Sequence, residues 1–263
     1  MDFLFCHDTS IFMFPVNLIA GAFLITGIWT LHRYYSHTHL VRWLNSMPAT
    51  LFICGLIISI LIIEGIWALE LFRSWIFIFS ELLLLVILGL ITLRKVRSYS
   101  TRNFLFLLNH SGLWLALFAA LFGAPDREEY KMIVPLQQAE YNAIDRSGRL
   151  QPLPFTVSLK KFEIEYYEQP ANAGTPKRFC STLLFTSEGE QTELQSLVNH
   201  PAHFKGYSLY QDGYDTARGA DSRYTILLVV RDPWLKAVYM GIFMLLAGAL
   251  GLIVYGPVKK NRI

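Results

Sequence analysis

Charge is missing from long, continuous parts of this chain. Between Asp8 and Arg33 lie 24 residues with no Asp, Glu, Lys or Arg, between Arg42 and Glu64 there are 21, between Arg102 and Asp126 there are 23, and between Lys236 and Lys259 there are 22. Ser74 to Leu93 adds 20 residues with a single charge, Glu81. Each stretch is apolar and, at about 1.5 Å per helical residue, long enough to cross a hydrocarbon core of roughly 30 Å. One such stretch alone also suits a buried helix in a large soluble core. Five of them in 263 residues do not, because so small a protein has no core that wide. The pattern predicts five transmembrane helices, at about 11–31, 49–69, 75–93, 103–123 and 236–256.

Lys and Arg in the short connections set the expected orientation. Segments 32–48, 94–102 and 257–263 carry Arg33, Arg42, Arg94, Lys95, Arg97, Arg102, Lys259, Lys260 and Arg262, whereas 1–10 and 70–74 carry only Arg73. By the positive-inside rule the N-terminus is expected outside the cytoplasmic membrane and the C-terminus inside. The first span lacks the basic flank and small-residue cleavage site of a secretory signal, so it is expected to persist in the mature protein. The stretch from Asp126 to about Asp232 is then extracytoplasmic, or periplasmic.

That stretch has ordinary charge content and strand-like patterning. Phe155–Tyr167 alternates, then resumes on a shifted face after Lys160–Lys161, which predicts a bulge there. Further runs at Arg178–Thr186, Thr192–Val198, Tyr207–Tyr210 and Tyr224–Val230 are separated by turn residues such as Ser187-Glu188-Gly189-Glu190. The expected organisation has three parts. Residues 1–124 hold four transmembrane helices. Residues 125–233 form an antiparallel β-sandwich or barrel-like domain, with 125–154 an irregular linker because it contains Pro125, Pro135, Pro152 and Pro154. Residues 234–263 supply the fifth helix and a basic inner tail.

Composition narrows the chemistry. Three cysteines without a CxxC pair exclude a disulfide scaffold, a thioredoxin-type site and a Cys-based zinc site. A formal charge of +3 is too small for a nucleic-acid binder. No Ser/His/Asp set, phosphate-binding glycine loop or paired-carboxylate hydrolase site is present, so no catalytic residue is assigned.

His110 stands out, in Asn109-His110-Ser111-Gly112-Leu113-Trp114, about 10 Å inside the inner boundary of the fourth span. Polar groups in a hydrocarbon span are costly. Neutral imidazole is a common axial ligand of haem iron, and Gly112 would let a flat macrocycle approach the backbone. The alternative is an Asn/His/Ser cluster that hydrogen-bonds across helices. Glu64 and Glu81 lie at similar depth in the second and third spans, placed to face each other, share a proton or meet Arg73. His32, His37 and His39 crowd the first inner loop as a candidate metal set or as interfacial histidines. His200 and His203 either touch a haem edge or shape a loop. Cys6 and Cys54 are dispersed, and Cys180 is expected to face the β core.

Three blocks resemble the ResB (CcsB) family of system II cytochrome c biogenesis membrane proteins. The first is Ser74-Trp75-Ile76-Phe77, a basic inner loop, and the helix with His110 that ends at Gly123. The second is Val198-Asn199-His200-Pro201, Phe204-Lys205-Gly206-Tyr207 and Tyr210-Gln211-Asp212-Gly213-Tyr214-Asp215. The third is Val230-Arg231-Asp232-Pro233 and Tyr239-Met240-Gly241 before a Gly-rich span. Together they cover about 50–125 and 155–256.

The resemblance implies a contributory subunit of a haem-attachment complex rather than a complete synthase. That complex, formed with a CcsA/ResC-type partner, exports haem b and attaches it to apocytochrome c, with a thiol-reducing system acting indirectly. It implies His110 as axial ligand to the haem iron, with Asn109, Gly112 and Trp114 around the cofactor. Asn199, Pro201, Gly206, Tyr207, Tyr210, Gln211, Asp232 and Pro233 are candidate partner contacts, the tyrosines with Tyr214 forming an aromatic ladder. Family members usually have four helices, so span 11–31 is extra, and the outer domain is short for the family. Two other readings remain open: a membrane-anchored β module that recruits an outer partner without haem, and a proton-coupled transporter-like subunit using Glu64 and Glu81.

Overall fold

In the computed structural model, residues 10–67, 69, 71, 74–96, 100–167 and 175–255 are described. Cys6, Arg73, Arg97 and the tail 257–263 lie outside them. The chain divides into two units: Met1–Asp126 with Trp234–Ile263, and Arg127–Pro233.

The first unit is helical: α1 Val16–Tyr34, α2 His39–Leu44, α3 Met47–Trp67, α4 Trp75–Lys95, α5 Thr101–Gly123 and α6 Leu235–Tyr255. Small hydroxyl side chains start three of them by accepting otherwise unpaired backbone N–H groups. Thr38 accepts from Val41 N, Ser74 from Phe77 N at 3.2 Å, and Ser100 from Asn103 N at 3.2 Å. The first helix begins at Val16, not near 11, because Pro15 holds the position before it and Ser10–Phe12 form a separate 3-10 turn. It runs on to Tyr34, with His32 and Arg33 in its last turn, where cations suit the helix C-terminus.

Among the described residues, α3, α4, α5 with its extension to Asp126, and α6 are long and apolar enough to cross a membrane. The expected first span is not in that set: α1 has 19 residues and includes Asn17, His32 and Arg33. It is nonetheless packed into the unit. Any Cβ on Gly21 would meet the Phe118 ring of α5, and one on Gly89 of α4 would meet Ile28.

The second unit is one eight-stranded antiparallel sheet in the order β5-β4-β3-β2-β1-β8-β7-β6. Its strands are β1 Glu128–Pro135, β2 Ala139–Ile144, β3 Leu150–Tyr166, β4 Pro176–Ser187, β5 Glu190–Leu197, β6 Ala202–Phe204, β7 Tyr207–Tyr214 and β8 Tyr224–Arg231. Tight hairpins at Glu188-Gly189 and Lys205-Gly206 take positive φ at both residues, which matches the twist of the flanking strands. The sheet curls into a barrel-like form. Ser196 on β5 donates to Leu209 O on β7 at 2.7 Å, and Leu197 and His200 exchange backbone hydrogen bonds.

Alternation buries one face of each strand. Met132, Val134, Val157, Leu159, Leu183, Phe185, Leu209, Leu227 and Val229 are fully enclosed. The predicted bulge is present, with the β3–β4 register shifting between Leu159 and Lys161.

Residues 125–154 correct the expected irregular linker, because they contain β1, β2 and the start of β3. Their prolines occupy positions where a missing N–H does little harm. Pro135 ends β1. Pro154 lies in the register break between β2 and β3, and both Pro152 and Pro154 precede the β3–β4 ladder, which begins at Thr156.

Candidate functional site

Helix α5 presents three different arcs, since successive residues turn by about 100°. Asn109, Gly112 and Ala116 face α6. Asn109 Nδ2 donates to Leu245 O at 3.0 Å, and a Cβ on Gly112 would meet Leu245 N, and Gly241 O at 2.6 Å. A Cβ on Gly248 would likewise meet the Asn109 backbone. The two helices therefore touch backbone to backbone, as small residues permit in membrane packing. Trp114, Phe118 and Phe122 form the second arc, with Trp114 Nε1 donating to Leu85 O of α4 at 3.0 Å and stacking on Phe118.

His110 lies on the third arc, with Phe106, Leu113 and Leu117, and all four are partly covered. Its Nδ1 is 3.1 Å from Phe106 O, and its ring stacks on Phe106 with centroids 3.8 Å apart. A carbonyl can only accept, so Nδ1 carries the proton and Nε2 keeps a bare lone pair. Among the described residues Nε2 has no hydrogen-bond partner. The Lys95 ammonium sits 5.9 Å from the Phe106 ring.

This arrangement separates the residues expected around a cofactor. His110 has a fixed tautomer and one bare ring nitrogen. Asn109 and Trp114 commit their N–H groups to neighbouring helices. Gly112 corrects the sequence reading directly: the backbone of α6, not a macrocycle, occupies the approach its missing side chain leaves. Glu64 and Glu81 do not pair. Glu64 Oε2 accepts from Leu71 N at 2.7 Å, while Glu81 is enclosed on α4. Among the described residues no three His, Cys, Asp or Glu side chains, including His32, His37 and His39, assemble into a metal site.

The β unit reorders the candidate contact residues as well. Tyr207 and Gln211 are buried, and Tyr214 packs on Phe162 and Phe179. Gln211 joins a buried network, accepting from Ser181 Oγ at 2.5 Å and donating to Thr225 Oγ1 at 2.6 Å. The expected aromatic ladder therefore does not form one outer surface. Period two sends Tyr207 inward and Tyr210 outward, and the register shift between Gln211 and Gly213 turns Tyr214 back towards the core. Asn199 is exposed in the turn before β6, Pro201 is half-buried, Gly206 forms the β6–β7 hairpin, and Asp232 and Pro233 follow β8. His203 is exposed, its Nδ1 3.0 Å from Ser208 Oγ, and His200 sits in the same turn as Asn199.

A cleft on the outer sheet face was not foreseen. It measures about 420 Å³ and has an apolar floor of Ile133, Ile144, Ile226 and Leu228. Its walls carry two ion pairs, Lys131–Asp212 at 3.1 Å and Arg146–Glu129 at 3.0 Å. Asp145 lines it too, and the Ser147 hydroxyl and Arg149 N–H hold its carboxyl well below the usual carboxylate range. The signal lay in the alternation of Glu129, Lys131 and Ile133, in a segment read as linker.

Comparison with known proteins bears on these features. Residues 97–222, which include α5 with His110 and most of the β unit, match the profile of the ResB-like family. Protein NrfI of Wolinella succinogenes is 30% identical over 114 residues, 43% of this chain, so the match spans only 12% of that relative. A solved structure titled Cytochrome c Heme Lyase CcmF aligns with 90% of this chain and 45% of its own, at 12% identity and a TM-score of 0.40, too distant to bear on function. The profile covers both the His110 helix and the outer motifs from Val198 to Asp215 that the sequence singled out, and over that part the chain is similar to the ResB-like family.

Proposed function

We propose that this chain is a subunit of a cytochrome c biogenesis complex that holds haem b in the membrane through His110 and supports its delivery to apocytochrome c. The partner is a CcsA/ResC-type membrane protein, and the β unit lies on the extracytoplasmic side, as the Lys and Arg distribution favours. The bare Nε2 of His110, without a hydrogen-bond partner among the described residues, carries this reading.

Haem is cargo in this scheme, and when bound it supplies an iron that accepts an axial nitrogen. The chain's own residues prepare that nitrogen. Phe106 O keeps the proton on Nδ1, and the Phe106 ring limits rotation of the imidazole, so the Nε2 lone pair is held in one direction. The apolar side chains of Leu113 and Leu117 on the same arc keep water away. Asn109, Gly112 and Trp114 act one step back, by locking α5 against α6 and α4.

The test is the Soret absorbance of the purified complex with and without His110→Ala. The expected result is a marked loss of bound haem and of cytochrome c yield. An unchanged spectrum with unchanged yield overturns the ligand assignment. The outer cleft favours a second reading, in which the helices anchor a β unit that recruits an outer partner without haem. In that case the β unit on a foreign membrane anchor sustains cytochrome maturation.

A further inference from the structure

We propose that Glu81 is a proton-binding site inside the helical unit, a neutral carboxylic acid that exchanges its proton with the aqueous phase. Glu81 lies six residues into α4, within one of the apolar spans, and is only 7% exposed. The chain itself covers nearly all of it. Among the described residues it accepts no hydrogen bond and meets no cation. The neighbouring Ser80 hydroxyl is committed to Ile76 O at 2.6 Å. A carboxylate so covered has no counter-charge among the described residues to offset its desolvation, whereas the neutral acid has far less to lose.

Among the described residues, the helices packed on α4 supply no substitute charge. These are α1, α3 and α5. On α1, His32 and Arg33 lie beyond Ile28, which sits against Gly89, so they are roughly three helical turns from the level of Glu81. On α3, Glu64 is engaged by Leu71 N. On α5, Trp114 is level with Leu85, which puts His110 about two turns below Glu81 and Arg102 further still. Asp126, above, already accepts from Phe14 N, Asn17 and Trp234. The proposal does not depend on haem binding.

Infrared spectroscopy of the full chain in lipid nanodiscs, with carbon-13 glutamate, tests it at pH 7. The expected spectrum contains a carbonyl stretch of a protonated carboxylic acid that shifts with the isotope and shifts again in D2O. That band is expected to vanish in Glu81→Gln and to persist in Glu64→Gln. Absence of the band, its survival in Glu81→Gln, or indifference to D2O overturns the proposal. Should Glu81→Gln fail to fold, Glu81→Asp takes its place, and the glutamate-labelled band is then expected to vanish.

Discussion

The Trp234 indole N–H donates to Asp126 Oδ2 at 2.7 Å, joining two residues 108 positions apart. The same oxygen accepts from Asn17 Nδ2 at 2.7 Å, and Oδ1 accepts from Phe14 N at 2.8 Å. Asn17 also donates to Phe122 O at 2.9 Å. One carboxylate thus ties the starts of α1 and α6 to the end of α5, on either side of the inserted β unit.

Removing that carboxylate is expected to loosen three helix ends at once. Hydrogen bonds to an ionised group contribute about 1.5–3 kcal/mol each, so Asp126→Ala costs at least about 3 kcal/mol and Trp234→Phe roughly half of that. Thermal unfolding of the purified chain in detergent measures both. Equal midpoints for Asp126→Ala and wild type would remove the clamp from the account of this fold.

Close approach of α5 and α6 sets Gly248 apart from Gly55 of α3. Gly248→Ala forces a methyl onto the Asn109 backbone and is expected to destabilise by about 1–3 kcal/mol. Gly55→Ala, with nothing within 4 Å, is expected to be neutral or to stabilise by up to about 1 kcal/mol. Yield and unfolding midpoint should fall in Gly248→Ala and stay level or rise in Gly55→Ala.

Within the β unit, Gln211→Ala leaves the enclosed Ser181 and Thr225 hydroxyls short of partners, at an expected cost of about 2 kcal/mol. Replacing all three together, as Ser181→Ala, Gln211→Leu and Thr225→Val, removes the unmatched groups and is expected to recover most of that loss. Chemical denaturation of the wild type, Gln211→Ala and the triple variant shows whether the network is coupled in this way.

Asp145 is held below its ordinary value of 3.8 by the Ser147 hydroxyl, the Arg149 N–H and the Arg149 guanidinium. Because the folded value is depressed, the turn's stabilisation is present above the unfolded value and is lost only as pH falls through the folded one. The Ser147 and Arg149 amide resonances are therefore expected to stay unchanged from neutral pH down through the usual carboxylate range. Movement of those resonances around pH 4 would contradict the assignment.

Cys180 pairs across from Glu163 on β3 and is 8% exposed, and burial pushes its thiol up. Labelling by a maleimide is expected to be negligible in the folded chain and complete after unfolding, since the thiolate is the reacting species. Mass spectrometry of the Cys180 peptide reads the difference.

Local pattern carried much of this protein. The absence of charge from five stretches predicted helices to within a few residues at most ends, and the shifted alternation after Lys160 located the bulge between Leu159 and Lys161. Pro15 moved one helix start because a rigid ring, invisible to hydropathy, intervened. The prolines of 125–154 misled in the opposite sense. A proline forbids one N–H bond, and only the neighbouring strand decides whether that bond was needed.

At the candidate site the division is similar. A histidine in an apolar span is legible from sequence, because its cost depends on composition alone. Its tautomer is not, since that depends on Phe106 O coming within 3.1 Å once the helix has formed. Gly112 and Gly248 differ from Gly55 only in what lies opposite, and that is a fact about α6. Tyr207 and Tyr210 differ by three positions, so alternation alone assigns them to opposite faces. Which face is the core required the pairing of β7 with β8 and the curl that brings β5 over it.

Hydropathy, charge and period belong to short segments, and by themselves they determined the helices, several strands and the lone intramembrane histidine. Contacts between segments far apart in sequence depend on closure of the whole chain. Those alone decided that α6 fills the space at Gly112, that Glu64 receives Leu71 N instead of facing Glu81, and that Asp126 receives Trp234.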